Sequence, residues 1–347
     1  MRVVVNAVPA GGTSLGVVTE NLVKHWDPAD ELHVVLRAGV KLDLPEGVTV
    51  HTFGGSRLAI MELRVPSLCR RLRAEAMLGM SPATTVAPLP CPRAVIVYDL
   101  RHERRPEQFA TRIRMRRWAG YRIGYRQADA ILCISQRTRD DLLALHPSLR
   151  GRRVTVAQLG ADHVLAWPPA EPGPEYALAF GQFGNKNADL VLDAWGILRG
   201  QGEALPLVVV GLPMADRAQL ESSLEARDLA DLVSVCPWLT DAEFRRRFAS
   251  ASVVVFPSDF EGFGLPVVEA MRLGIPAVVT PDPALLEVTG GLATVMDGWD
   301  AKALARAVPR ARRRGDEERE RARAHAAGFT WSRMAGEVRA ALAACVG

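Results

Sequence analysis

Short apolar runs alternate along the chain with stretches in which apolar residues return at helical spacing. Arg2–Val8 predicts a strand, a glycine-rich turn follows, and Val17–Trp26 has the spacing of a helix. Leu32–Leu36 and Val48–Phe53 predict further strands, and Leu58–Met80 reads as helical throughout. Ala94–Tyr98 and Ala130–Ile134 are brief runs rich in Val and Ile, which again favour strands. The alternation restarts with strands at Tyr176–Phe180, Leu207–Val210, Val233–Cys236, Val253–Phe256 and Ala277–Thr280, and a helix at Leu190–Leu198. Strands that alternate with helices build parallel sheets covered on both faces. Arg310–His325 predicts one charge-rich surface helix, and Gly328-Phe329-Thr330-Trp331-Ser332 opens a last amphipathic helix.

Between the two runs of alternation lies Trp167-Pro168-Pro169-Ala170-Glu171-Pro172-Gly173-Pro174, which can continue neither a helix nor a central strand. A chain of 347 residues is long enough for two cores. The expected organisation is a Rossmann-like domain over 1–166, a Pro-rich linker at 167–175, a second Rossmann-like domain over 176–326 and a terminal helical segment at 327–347. In such α/β sheets ligands bind beyond the carboxyl ends of the strands.

Composition removes several classes. A formal charge of +4 is mild for this length, and arginine carries nearly all of the positive charge, since lysine occurs only at 24, 41, 186 and 302. This is no nucleic-acid footprint, and no nucleic-acid partner is expected. Cys69, Cys91, Cys133, Cys236 and Cys345 are scattered, without a CxxC pair or zinc spacing, and read as buried, reduced thiols of a cytoplasmic protein. No apolar run has the length of a membrane span.

The strongest chemical signal is Pro257-Ser258-Asp259-Phe260-Glu261-Gly262-Phe263-Gly264-Leu265-Pro266-Val267-Val268-Glu269-Ala270. It follows the strand Val253–Phe256. Pro266 suits the first turn of a helix, and Gly274 with Pro276 ends it. Backbone amides at that helix start favour an anion. By themselves, two carboxylates eight positions apart are equally consistent with helix capping. A second signal is Phe180-Gly181-Gln182-Phe183-Gly184-Asn185-Lys186-Asn187, where Lys186 is either a phosphate-binding cation or a surface lysine. Gly11-Gly12-Thr13-Ser14-Leu15-Gly16 is a glycine-rich turn before a helix, but not GxGxxG. Asp99 and His102 follow a strand; they are either functional, or a turn cap and a surface residue respectively. The arginine-dense stretch from Arg101 to Arg126 is either a solvated helix or a contact for a phosphorylated acceptor or an anionic membrane surface. No Asp-x-Asp triplet occurs anywhere.

The 257–270 stretch closely resembles the E-x7-E motif of the retaining glycosyltransferases of family 4. Trp238-Leu239-Thr240-Asp241-Ala242-Glu243-Phe244, Leu286-Glu287-Val288 and Phe329-Thr330-Trp331 resemble further segments of that family. In the N-terminal half Ala87-Pro88-Leu89, Val97-Tyr98-Asp99-Leu100-Arg101-His102 and Ile134-Ser135 are similar to its mannosyltransferase-containing branch. The resemblance implies a GT-B fold, two Rossmann-like domains facing a central cleft, with the acceptor domain first, the nucleotide-sugar donor domain second, and the terminal helix crossing back. It implies that Glu269 binds the donor ribose, and that Glu261 with the Gly262, Phe263, Gly264 and Leu265 backbone holds the sugar. It implies further that Lys186 grips the diphosphate, that Leu239 borders the base pocket, and that Gly11 and Gly12 approach the phosphate. Gln182 stands near where the family has an arginine, and Tyr98 where many members have a histidine. Asp99, Lys186 and Glu261 are the implied catalytic residues. The implied reaction moves a hexose-type sugar from a nucleotide diphosphate sugar to a hydroxyl of a glycan, lipid-linked or natural-product acceptor, with retention and without metal or cofactor. Two rivals are a non-catalytic nucleotide-sugar-binding partner subunit and a nucleotide-sugar epimerase of the same fold.

Overall fold

The computed structural model describes residues 1–11, 14–181, 184–211, 214–236 and 239–346. The chain divides into two compact units, Met1–Gly160 with Thr330–Gly347, and Ala161–Phe329. The Pro-rich stretch therefore lies inside the second unit rather than at the division.

The first unit holds seven parallel strands: β1 (Arg2–Asn6), β2 (Glu31–Arg37), β3 (Thr49–Phe53), β4 (Ala76–Gly79), β5 (Arg93–Val97), β6 (Ala130–Cys133) and β7 (Arg153–Val156). Their order is β3-β2-β1-β4-β5-β6-β7. Val3, Val4 and Val5 of β1 and all of β4–β6 are buried, as strands covered on both faces must be. The terminal helix Trp331–Val346 packs against β4, β5, β6 and the helix Ser14–Lys24, burying Trp331, Met334, Val338 and Leu342. Its Arg339 forms a fork on Asp30, with Nε 2.7 Å from Oδ2 and Nη2 3.1 Å from Oδ1. The Asp30 side chain is fully buried. Burial pushes its carboxyl up, but Arg339, the Met1 amine and the Trp26 indole together hold it down to about 2.

The second unit holds β8 (Ala177–Phe180), β9 (Leu207–Val210), β10 (Val233–Val235), β11 (Val253–Phe256), β12 (Ala277–Val279) and β13 (Thr294–Val295), in the order β10-β9-β8-β11-β12-β13, again all parallel. One core joins Ala177, Val209, Val253, Val255 and Val278 of the strands to Trp195, Leu198, Leu304 and Val308 of two covering helices. The strand order reverses between β8 and β11. One crossover leaves β8 through helix Ala188–Gly200 toward β9, and the other leaves β11 through helix Leu265–Arg272 toward β12. Their departing loops open a crevice at the carboxyl ends of these two strands.

Several expectations need correction. Leu58–Met80 is not one helix. It comprises Arg57–Ala59, a wide turn at Ile60–Arg64, the helix Val65–Leu72 and then β4. Arg73 in the left-handed conformation ends that helix, and Ala-Met-Leu-Gly is too short a run for periodicity to separate strand from helix. Arg310–His325 is split: Ala301–Arg312 ends, and Asp316–Ala326 begins after Gly315. β7 and β13 lie outside the expected strands. Cys69, Cys133 and Cys236 are buried, but Cys91 and Cys345 are only half-buried.

Candidate active site

β8 and β11 deliver the chemistry of the second unit. After β8 the chain turns through Gly184–Lys186, and Asn187 takes a left-handed conformation before the next helix starts. After β11 it turns through Pro257–Gly264 into the helix Leu265–Arg272. The two turns are laced together. The Asp259 amide donates to the Asn185 carbonyl at 3.1 Å, and Asn187 Nδ2 to the Pro257 carbonyl at 2.8 Å. Thr280, just past β12, donates to the Ser258 carbonyl at 2.5 Å.

Within this frame three groups converge on Oε1 of Glu261. Lys186 Nζ pairs with it, Ser258 Oγ donates at 2.5 Å and Asn185 Nδ2 lies at 3.2 Å. Asn185 also donates to Ser258 Oγ at 2.9 Å and to the Phe260 carbonyl at 3.1 Å. Asn185 and Ser258 are buried, while Lys186 and Glu261 keep a narrow opening to solvent. Lys186 Nζ rests 4.1 Å from the centroid of the Phe256 ring, a second attraction for the same cation. An ion pair this sheltered depends on its added hydrogen bonds to offset desolvation, and here Asn185 and Ser258 supply them.

Gly264 has φ +90, and a Cβ there would overlap Cδ2 of Leu285. It passes the chain into a helix with Pro266 in its first turn and no side-chain cap. Unsatisfied amides at such a helix start are an anion site. Gly262 and Phe263 are buried, Phe263 edge-on to Phe329 at 5.7 Å, and Leu265 is the first helical residue. Glu269 lies in the second turn, 5% exposed, with Oε1 3.0 Å from Nε2 of His163. Leu239 is half-buried, and after it Thr240 and Glu243 form a reciprocal cap on the helix Asp241–Ala249. Gln182 and Gly12 lie outside the described residues.

Asp99 and Gly11 belong to the first unit. Asp99 Oδ1 accepts from the Arg101 amide at 2.9 Å, the geometry of a turn cap. Gly11 follows β1, with space for a Cβ 3.5 Å from Val40 Cγ2 and no positive φ. His102 is not on the surface. It is buried, edge-on to Tyr121 at 4.7 Å, and burial pushes its imidazole down. Tyr98 is half-buried, its phenol pushed up by desolvation. Asn185, Ser258 and His163 carried no separate signal in the sequence. They become visible only when distant segments meet.

Residues 168–328 match the family model described as glycosyl transferases group 1. That match lies within the second unit. Curated proteins are similar to this chain as well. The alpha-maltose-1-phosphate synthase of Mycolicibacterium smegmatis is 29% identical over 240 residues, 60% of this chain and 61% of that protein. The MMP alpha-(1->4)-mannosyltransferase of Mycolicibacterium hassiacum is 32% identical over 188 residues, 51% of this chain and 44% of that protein. The matches thus span less than two thirds of these relatives' own length. HepE of Anabaena, solved with UDP-glucose, superposes with a TM-score of 0.75 at 16% identity, covering 99% of this chain and 100% of that one. That likeness shows the fold, an α/β GT-B arrangement of two Rossmann-like units. The resemblance read from the motifs, including its mannosyltransferase-like branch, is found again in these matches.

Proposed function

We propose that this chain is a retaining glycosyltransferase that moves a hexose-type sugar from a nucleotide diphosphate sugar to an acceptor hydroxyl. The observation that carries the reading is the Lys186–Glu261 pair, set by Asn185 and Ser258 at the reversal between β8 and β11, beside an uncapped helix start. The donor diphosphate takes the amides after Gly264 with Lys186 nearby, Glu261 turns its second carboxylate oxygen to a sugar hydroxyl, and Glu269 accepts from the ribose. The bond from the anomeric carbon to the diphosphate oxygen breaks, and the acceptor oxygen bonds to that carbon from the same face. The acceptor proton passes to the departing diphosphate. Asp99 is assigned to the acceptor side. Lys186 and the helix amides offset the charge of the leaving group without a metal ion. The relatives named above support sugar transfer, and HepE's UDP-glucose supports a nucleotide-sugar donor. The free thiols suit a reducing, cytoplasmic setting.

The test is turnover by the purified chain against a panel of nucleotide sugars with sugar and lipid-linked acceptors, with and without a chelator, and with the anomeric configuration of the product read by NMR. Turnover with retention, undiminished by chelator, is expected. A strict requirement for added metal, an inverted product, or binding of donors without any transfer would overturn the reading.

A second observation favours an acceptor at a membrane surface. The helix Thr111–Gln127 carries six arginines and no acid, with Ile113, Met115, Trp118 and Ile123 exposed among them. Such a mixture suits anionic lipid headgroups with shallow apolar insertion. Co-sedimentation with anionic vesicles, lost at high salt and absent with zwitterionic ones, is the expected result. Equal binding to both, or to neither, would remove the membrane from the proposal.

A further inference from the structure

To bind the donor ribose as assigned above, the Glu269 carboxylate must be held in one orientation inside the second unit. Glu269 is 5% exposed, and a buried carboxylate needs a cation or donors close by. The group beside it comes from a segment far away in the sequence. His163, on the short turn Asp162–Ala166, places Nε2 3.0 Å from Oε1 of Glu269, at ion-pair distance but off the angle of a hydrogen bond. The imidazole is itself braced, lying edge-on to Trp167 with ring centroids 5.6 Å apart and planes at 79°. Trp167 in turn stands edge-on to Phe248 at 5.3 Å and to Phe244 at 6.0 Å. Both phenylalanines belong to the helix Asp241–Ala249, whose cap follows Leu239. The turn bearing His163 is tied down as well, since the Ala161 amide donates to the Phe329 carbonyl at 3.0 Å.

We propose that His163 is a positioning residue for recognition of the ribose cis-diol of a nucleoside diphosphate. It occupies one oxygen of Glu269, fixes the plane of the carboxylate, and leaves the other oxygen as the acceptor for the two hydroxyls. A freely rotating carboxylate would lose rotamer entropy on binding the diol. One already held by a braced imidazole is pre-organised, and the gain appears in binding. The stack His163–Trp167–Phe248 also joins the ribose acceptor to the helix after Leu239, so the two sides of the nucleotide pocket are set by one rigid aromatic column. This inference rests on the ribose role of Glu269, and the test separates the two.

The probes are GDP and UDP, each compared with its 2′,3′-dideoxy analogue by calorimetry, in the full chain and in two variants. His163→Phe keeps an aromatic ring against Trp167 and removes the polar contact. His163→Gln restores a donor of similar reach. Native melting without nucleotide checks that each variant is folded. The wild type should prefer the ribonucleotide by about tenfold or more, as expected for hydroxyls donating to a charged acceptor. His163→Phe should reduce that preference to about threefold or less while leaving the affinity for the dideoxy analogue unchanged, and His163→Gln should recover most of it. If the wild type shows no preference, the ribose role of Glu269 fails and the inference falls with it. If the wild type discriminates and His163→Phe discriminates equally, Glu269 keeps its role and His163 has none. If His163→Phe weakens both nucleotides by the same factor, the residue only supports the fold, and the inference is likewise overturned.

Discussion

Each unit ends a central strand in a turn that carries an acid, but the two acids are engaged differently. After β11, Glu261 meets a lysine delivered by the neighbouring strand β8, and two buried polar side chains steer the pair. After β5, Asp99 turns back on its own loop and accepts from the Arg101 amide two residues on. The first arrangement draws on tertiary structure and leaves a cation near the surface of a crevice. The second is a local turn device available to any Asp in that position. The glycines differ in the same way. Gly264 is compelled by its backbone and by Leu285, whereas Gly11 is not. Side chains whose placement depends on two strands at once are those expected to carry the chemistry.

The sharpest way to break this contrast is to compare Lys186→Ala with Asp99→Asn. Removing one preorganised charge typically lowers the rate about a hundredfold or more, so turnover at saturating donor should fall by that order for Lys186→Ala, with a smaller loss of affinity. Asp99→Asn retains the capping oxygen and should lose less than about tenfold. An equal or larger loss at Asp99 would move the chemistry to the first unit. Next comes Glu269→Ala, for which the affinity for a nucleoside diphosphate should drop at least about tenfold, from hydrogen bonds to a charged group worth roughly 1.5–3 kcal/mol each. Glu261→Gln should change that affinity less, because its assigned partner is the sugar. Unchanged binding in Glu269→Ala would sink its assignment.

Gly264→Ala and Gly11→Ala sharpen the comparison at the level of stability. A left-handed Ala costs roughly 1–2 kcal/mol, and the overlap with Leu285 adds to it, so urea melts should register a clear loss for Gly264→Ala. Gly11→Ala should stay close to wild type, and comparable losses would show that the two turns are equally constrained. The smallest effect is confined to the first unit. The lowered Asp30 carboxyl contributes stability that is present above the ordinary carboxylate range and is lost as pH falls through about 2. Arg339→Ala should therefore melt lower than wild type near neutral pH, with the gap closing between about pH 4 and pH 2. A gap that stays constant down to pH 2 would count against the Arg339–Asp30 fork as its source.

How much of this was legible in the chain varied with the distance over which each feature is decided. Short apolar runs such as Leu32–Leu36 and Val253–Phe256 can be read directly, and so can the GT-B architecture once the 257–270 motif is seen. β4 was hidden because its four apolar residues follow a helix with compatible spacing. β7 is an edge strand with one buried residue, and β13 has only two residues, so neither presents a period. In the site, Glu261, Glu269 and Lys186 stand out by motif, because each belongs to a local strand–turn–helix pattern, after β11 or after β8. Asn185, Ser258 and His163 do not, because their partners lie on other strands and segments. The burial of His102 is hidden for a related reason. A polar residue beside arginines looks solvated, yet His102 is buried against Tyr121, which in turn meets Tyr125 edge-on.

The helix Trp331–Val346 completes the first unit only after the whole second unit has been threaded into the chain. Residues 161–329 are one uninterrupted segment whose two ends meet in the hydrogen bond from Ala161 to Phe329. During synthesis that segment can close on its own sheet as soon as it emerges. The first sheet cannot be finished until later, and its β4–β6 region waits uncovered for Trp331, Met334, Val338 and Leu342. At about 5–20 residues per second the delay is on the order of ten seconds to half a minute. Over that interval the earlier half of the molecule carries an open apolar face on the ribosome, a natural substrate for a chaperone.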